Sequence, residues 1–214
     1  MDKLEQALYD AILEFDEDSV IEKTKALVDA KKDPVTIANL CRTAMDEIGR
    51  MFQEKEIFLT ELIMAGELMN VIMNELGFSK DANSKPDSEY IGKVVIGTVQ
   101  GDVHDIGKNI VVSLLSSNNI KVIDIGVDCT PEKFVDAVKK HNPQVVGLSG
   151  LLTIAYESMK KIVTALTEAG LHNNIKIMIG GGATDQKVCD FAGADAYGKD
   201  ATDAILMCQR WMKK

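Results

Sequence analysis

Gly101-Asp102-Val103-His104-Asp105-Ile106-Gly107-Lys108-Asn109 decides how this chain is read. The apolar run from 93 to 99 before it has the character of a buried strand, and Ile110-Val111-Val112-Ser113-Leu114-Leu115 after it has that of a helix. The stretch is therefore the first strand-to-helix loop of an α/β unit. In open parallel sheets, ligands gather outside the carboxyl ends of the strands, near the point where strand order reverses. The loop sets an imidazole there, with one carboxylate two residues before it and another beside it. A neutral imidazole is the commonest protein ligand for a transition metal, and its second nitrogen is usually oriented by a carboxylate. Asp102 and Asp105 both qualify as that partner. Metal sites built from protein alone need three or four side chains. The other two histidines, His141 and His172, have no Cys or His at ligand spacing. A metal at His104 therefore implies a cofactor that brings its own ligands. The plain alternative is that Asp102 caps a helix and His104 is an ordinary loop residue.

Outward from this loop, strands and helices alternate from Ile91 onward. Apolar runs at 93–99, 121–126, 144–149, 175–180 and 194–197 read as strands. Helical patterns lie near 106–118, 131–141, 155–169, 184–192 and 200–213. Apolarity that is continuous rather than alternating means both faces of each strand are covered, as in a parallel sheet. Five such units predict an α/β domain over 91–214, a flavodoxin-like (Rossmann-like) doubly wound five-stranded parallel sheet.

The chain before it reads as helices only. Leu4, Leu8, Ala11, Ile12 and Phe15 form one stripe at helical spacing, and Val20, Ile21, Thr24, Leu27 and Val28 a second. Asp33 and Pro34 suit the N-cap and first turn of a third helix. A fourth, from about Thr60 to Leu76 with Gly77 as its stop, is apolar on two sides. Leu62, Ala65, Met69, Ile72, Met73 and Leu76 make one stripe; Phe58, Met64, Leu68 and Val71 make the other. One stripe can pack in a four-helix bundle over 1–79, and the other needs a further partner, since each large side chain buried is worth roughly 1.5–3 kcal/mol. The partner is another domain or copy, or a ligand under a hydrophobic lid. The polar segment 80–90 reads as a linker.

Net charge of −9 disfavours a nucleic-acid partner held through phosphates. No apolar run approaches the roughly 18 residues of a membrane span, and the charged start Met1-Asp2-Lys3-Leu4-Glu5 is not that of a signal peptide. Cys41, Cys129, Cys189 and Cys208 are far apart and form no CxxC, as expected of free thiols in the cytoplasm.

A doubly wound sheet brings its strand-end loops to one edge. The loop after the third strand is Ser149-Gly150-Leu151-Leu152-Thr153, and that after the fourth is Gly180-Gly181-Gly182-Ala183-Thr184. Three successive glycines remove side chains where something must approach the backbone. Neither the dinucleotide fingerprint GxGxxG nor the P-loop follows the first strand, which disfavours NAD or ATP.

Asp102-Val103-His104-Asp105-Ile106-Gly107 resembles the DxHxxG motif of cobalamin-binding domains. Ser149-Gly150-Leu151 resembles their SxL element and Gly181-Gly182 their GG element, in the same order and at similar spacing. Gly49-Arg50-Met51-Phe52-Gln53-Glu54-Lys55-Glu56-Ile57-Phe58-Leu59-Thr60-Glu61-Leu62 resembles the cap segment of methionine synthase and of the small corrinoid proteins of methyltransferase systems. The resemblance covers nearly the whole chain. It implies a cobalamin or related corrinoid whose nucleotide tail threads between the loops, with His104 as lower axial ligand of cobalt and Asp102 bonded to the other ring nitrogen. It implies that Val103, Asp105 and Ile106 flank the cofactor, that Gly107 gives the tail room, and that Ser149, Leu151, Thr153, Gly181, Gly182 and Ala183 line the tail pocket. Phe58, Leu62, Ala65 and Leu68 become the cap over the methyl-bearing face. One position departs from the pattern: methionine synthase has a relay serine six residues after the serine of SxL, where this chain has Ala155.

The implied function is that of a corrinoid methyl carrier, cycling between cob(I)alamin and methylcobalamin, with His104 bound in the methylated state and released in the reduced one. The methyl group would come from a substrate:corrinoid methyltransferase for a methylamine, quaternary amine, methanol or methoxylated aromatic. It would leave through a second methyltransferase to coenzyme M or tetrahydrofolate, and a reductive activase would restore the reduced cobalt. The chain itself offers no acid, base or nucleophile for substrate chemistry. A cobalamin-dependent sensor or regulator is the alternative; it would carry a DNA-binding module, and the helices here have no basic face. An adenosylcobalamin mutase subunit would lack the helical cap.

Overall fold

The structure, a computed structural model, describes residues 1–77, 90–182 and 184–212. The chain divides into two compact units, Met1–Ser79 and Lys80–Lys214. Most of the segment read as a linker, 80–89, lies outside the described residues.

The first unit consists of α1 (Lys3–Leu13), α2 (Glu17–Asp29), α3 (Pro34–Gln53) and α4 (Leu59–Glu75). Each start is marked chemically. Asp2 and Glu5 form a capping box, and Asp16 accepts the Ser19 N–H. Asp33 accepts the N–H groups of Val35 and Thr36, with Pro34 in the first turn as the sequence predicts. Phe58 has no capping side chain, so Glu61 reaches back to accept its N–H at 2.5 Å. The helices pack in a closed ring of neighbours, α1 on α2 and α3, and α4 on α2 and α3. Leu8, Ile12, Leu27, Ile37, Ile48 and Ile72 are fully or almost fully buried. The two faces of α4 differ from the stripes read in the sequence. Leu68 belongs with the buried side, and the large apolar side chains left exposed are Leu59, Ile63 and Met64, with Phe58 just before the helix.

The second unit runs β1 (Lys93–Thr98), α5 (Ile106–Ser117), β2 (Lys121–Asp124), α6 (Pro131–His141), β3 (Val145–Ser149), α7 (Ala155–Glu168), β4 (Lys176–Gly180), α8 (Gln186–Ala192), β5 (Ala196–Gly198) and α9 (Ala201–Met212). The strands pair in parallel in the order β2-β1-β3-β4-β5, the flavodoxin-like order. Successive strand side chains point to opposite faces. Val95, Val146, Leu148 and Ile177 join the core beneath α6, α7 and α8, while Val94, Ile96, Val145 and Met178 join the core beneath α5 and α9. Burial on both faces explains the unbroken apolar runs.

Two strand ends depart from the expected limits by two residues, and one end each of β1, β3, β4 and β5 by a single residue. β2 stops at Asp124 rather than at 126, because the Asp124 carboxylate turns back to accept the Gly126 N–H and Gly126 adopts φ +92°. β5 starts at Ala196 rather than at 194, because Gly193 and Ala194 still close α8 through hydrogen bonds to Cys189. Register matters more for the site. Thr98 pairs with Ser149 and Ser149 with Gly180, so β1, β3 and β4 end level and release their loops on one edge. Strand order reverses between β1 and β3, and His104 follows the first of these strands.

Candidate functional site

Asp102 organises this edge. It is 1% exposed and accepts four hydrogen bonds. Oδ1 accepts the His104 backbone N–H at 3.0 Å and lies 2.7 Å from His104 Nδ1. Oδ2 accepts the backbone N–H groups of Leu151 at 2.6 Å and Leu152 at 3.0 Å. One carboxylate thus ties the loop after β1 to the loop after β3. Burial pushes the Asp102 carboxyl up from its ordinary value, but the hydrogen bonds from His104, Leu152 and Leu151 together outweigh burial and hold it below. A depressed value adds stability that is present above the ordinary carboxylate range and is lost as pH falls through the folded value.

Of the two carboxylates flanking His104, Asp102 is the one that holds it. Asp105 is instead the N-cap of α5 and makes no side-chain cap hydrogen bond, so the helix-capping alternative for Asp102 does not describe this loop. The Thr98 hydroxyl, fully buried, donates to the His104 carbonyl at 3.1 Å and fixes the backbone from below. The His104 side chain is 49% exposed. With Nδ1 against a carboxylate, the Nδ1–H tautomer is favoured, which leaves the lone pair on Nε2. Nε2 has no hydrogen-bond partner among the described residues. Among the described residues no three His, Cys, Asp or Glu side chains cluster as a metal site, so a metal on this nitrogen must bring its remaining ligands with it.

The third loop closes on the second of these. Gly150 N–H donates to the Gly180 carbonyl at 3.1 Å. Gly181 has φ +114°, and a Cβ there would lie 2.3 Å from the Gly150 carbonyl oxygen; a Cβ on Gly182 would lie 2.6 Å from Leu151 Cδ1. The close approach that the glycine triplet predicts is made by the protein's own neighbouring loop. Gly107 contrasts with both, since a Cβ on it would meet nothing within 4 Å. Ala155 is fully buried at the start of α7, and its Cβ would lie 2.6 Å from a Cβ on Gly150. The Asp102 carboxylate already has two hydrogen-bond partners on each oxygen.

Three of the sequence-predicted groups therefore come together: the loop from Asp102 to Gly107, Ser149 to Thr153, and Gly181 with Gly182. Val103, Leu151, Leu152 and Ile154 are large apolar side chains left exposed along this edge, 67% for Val103 and 63% for Ile154. Asp105, Ile106 and Ser149 are half-buried, and Thr153 is exposed. Ala183 lies outside the described residues. The cap candidates belong to the other unit, where Phe58 is exposed, Leu62 half-buried, and Ala65 and Leu68 buried.

Sequence reading missed Thr98, Leu152 and the pair Lys108–Asp124. The Lys108 side chain, 1% exposed, bonds Asp124 Oδ2 and Asn109 Oδ1 and locks the first turn of α5 to the end of β2. A lysine at the start of a mostly apolar helix was the available signal.

The B12 binding domain family matches residues 92–206, and a second B12 binding domain family matches residues 4–76. Trimethylamine corrinoid protein 1 of Methanosarcina acetivorans is 37% identical over 197 residues, 92% of this chain and 91% of that protein. The solved structure of the Methanosarcina barkeri monomethylamine corrinoid protein is similar with a TM-score of 0.83 at 27% identity, covering 95% of each chain. A chain of the methanol:cobalamin methyltransferase complex of Methanosarcina barkeri is 31% identical with a TM-score of 0.56, covering 99% of this chain and 80% of that one.

Proposed function

This chain belongs to the B12-binding corrinoid proteins of methyltransferase systems, and on that premise we propose that it carries methyl groups between two methyltransferases with His104 as the lower ligand of its corrinoid. The observation that carries this reading is the Asp102–His104 pair, which fixes one ring nitrogen and leaves the other without a hydrogen-bond partner among the described residues on a half-exposed side chain. When bound, the corrinoid supplies a cobalt that accepts and releases the methyl group. The residues present fit such a group: an oriented imidazole, the open space beside Gly107, and the uncovered apolar edge of Val103, Leu151, Leu152 and Ile154.

In this reading Asp102 sets the tautomer and orientation of His104 as a ligand. Asp105 and Ile106 flank the imidazole in the same loop. Gly107, Ser149, Leu151 and Thr153 line the passage of the nucleotide tail, with Gly181 and Gly182 contributing backbone. Of the cap candidates, the exposed Phe58 and half-buried Leu62 offer apolar surface to exclude water from the reactive face, and the buried Ala65 and Leu68 back them. The exposed Leu59, Ile63 and Met64 extend that apolar surface. No described helix is long and apolar enough to cross a membrane. All four cysteines are free and buried, in keeping with the reducing cytoplasm proposed as its location.

The partners are a substrate-specific methyltransferase, an acceptor methyltransferase serving coenzyme M or tetrahydrofolate, and a reductive activase. The names of the relatives set the donors to screen: trimethylamine, monomethylamine and methanol. The protein is loaded with hydroxocobalamin, reduced with titanium(III) citrate, and mixed with each donor and the methyltransferase of the matching system. A carrier converts stoichiometrically from the reduced to the methylated spectrum with at least one pair. Loaded, reducible protein that stays unmethylated with every pair would contradict the carrier reading and favour a sensor.

A further inference from the structure

The loop after β2 carries a residue with no hydrogen bond to His104 or to the loop after β3 among the described residues, yet it bonds the peptide after Asp102 and the turn before it. Asp128 Oδ1 accepts the Gly101 N–H at 2.8 Å. The Asp128 N–H donates to the Asp102 carbonyl oxygen at 3.1 Å. Asp102 N–H donates in turn to the Val99 carbonyl at 3.1 Å, closing a tight turn in which Gly101 has φ +85°. Asp128 itself adopts φ +49°, a conformation that Asp tolerates because its side chain bonds nearby backbone. Cys129 N–H and Gly126 C=O then bind the two sides of Thr98, whose hydroxyl supports His104.

The carboxylate of Asp102 must reach a ring nitrogen on one side and two backbone N–H groups on the other. Its aim is set by the peptide after its Cα, which Asp128 holds with its backbone, and by the Val99–Asp102 turn before it, whose 100–101 peptide Asp128 holds with its side chain. We propose that Asp128 is a positioning residue for the ligand His104: it fixes the Asp102 carboxylate, and through it the strength with which the imidazole holds cobalt. This rests on the reading of His104 as the lower ligand.

Two substitutions separate the hydrogen bond from the backbone conformation. Asp128→Gly keeps the positive φ at no steric cost and deletes the acceptor. Asp128→Asn also tolerates that φ and keeps a carbonyl to accept from Gly101. The readout is the Co(II)/Co(I) midpoint potential of protein loaded with hydroxocobalamin and titrated with titanium(III) citrate, followed by its spectrum. Reduction to Co(I) takes up one electron and releases the imidazole, so weaker ligation of Co(II) moves the potential to less negative values. Losing one modest hydrogen bond from the chain of support weakens ligation by about three- to tenfold, or roughly 30–60 mV for one electron. Asp128→Gly shifts by that amount, and Asp128→Asn stays at the wild-type potential.

A purely structural role for Asp128 would lower melting temperature and leave the potential unmoved, and that result overturns the proposal. An equal shift in Asp128→Asn overturns it too, because the acceptor would then be irrelevant. Wild-type protein that binds hydroxocobalamin without histidine ligation would sink the underlying ligand reading instead, and its spectrum distinguishes that case at the outset.

Discussion

Asp102→Asn leaves the α/β unit folded and strips His104 of its capacity to hold cobalt. The carboxylate offers only acceptors, and all four of its neighbours are N–H groups or a ring nitrogen that donates to it. Asparagine has one acceptor oxygen and one amino group. If the oxygen serves the two N–H groups of Leu151 and Leu152, the amino group faces His104. It then donates to Nδ1, which drives the ring proton onto Nε2 and removes the lone pair the metal needs. The variant binds hydroxocobalamin without histidine ligation, seen in its absorption spectrum, and loses about 1–3 kcal/mol of stability for the one N–H turned against a donor. Asp102→Ala goes further: three backbone N–H groups lose their charged acceptor, and urea melts should show a loss of about 3–5 kcal/mol. An Asp102→Asn protein with the wild-type spectrum would mean that the carboxylate does not set the tautomer.

The second large effect is at Gly181. Alanine there places a Cβ 2.3 Å from the Gly150 carbonyl oxygen at φ +114°. Neither problem relaxes cheaply, because the clash is with backbone and Gly150 N–H is bonded to Gly180. Strain of about 1–3 kcal/mol for the backbone conformation adds to a similar figure for overlap, so Gly181→Ala should cost about 3 kcal/mol or more in denaturant melts of the cofactor-free chain. Gly107→Ala should behave in the opposite way. Its Cβ meets no protein atom within 4 Å and it sits in the first turn of α5, so the cofactor-free protein should gain up to about 1 kcal/mol from helix propensity. If that space belongs to the nucleotide tail, the same substitution weakens hydroxocobalamin binding at least tenfold. Equal costs at the two glycines, or undiminished binding by Gly107→Ala, would contradict this division of labour.

The sequence made the strand-loop-helix character of residues 93 to 117 legible because hydrophobic runs and helical spacing are local signals. The doubly wound parallel class followed from the alternation of strands and helices, and the order β2-β1-β3-β4-β5 came from the fold itself. His104 was legible from its position after the first strand. Its partner was legible only through the family resemblance, which names Asp102: as residue types Asp102 and Asp105 are equivalent, and the fold shows that Asp102 turns inward while Asp105 starts a helix. The support from Thr98, Leu152 and Asp128 was invisible, because hydrogen bonds to backbone N–H and C=O leave no pattern in residue type. Leu59 and Ile63 were missed on α4 because a helix apolar on most sides gives spacing no single direction to report. The glycine triplet announced a close approach, but not that the approaching group is the backbone of Gly150.

The central claim is that His104 Nε2 binds cobalt, and nuclear spin tests it most directly. The protein is grown uniformly in nitrogen-15, loaded with unlabelled cofactor and reduced to Co(II), and its electron paramagnetic resonance is recorded. A protein imidazole on cobalt splits each line into a doublet through nitrogen-15, and His104→Ala abolishes that doublet. Triplet splitting in the labelled protein would mean that the cofactor's own unlabelled benzimidazole remains the ligand, and the account of this site would be wrong.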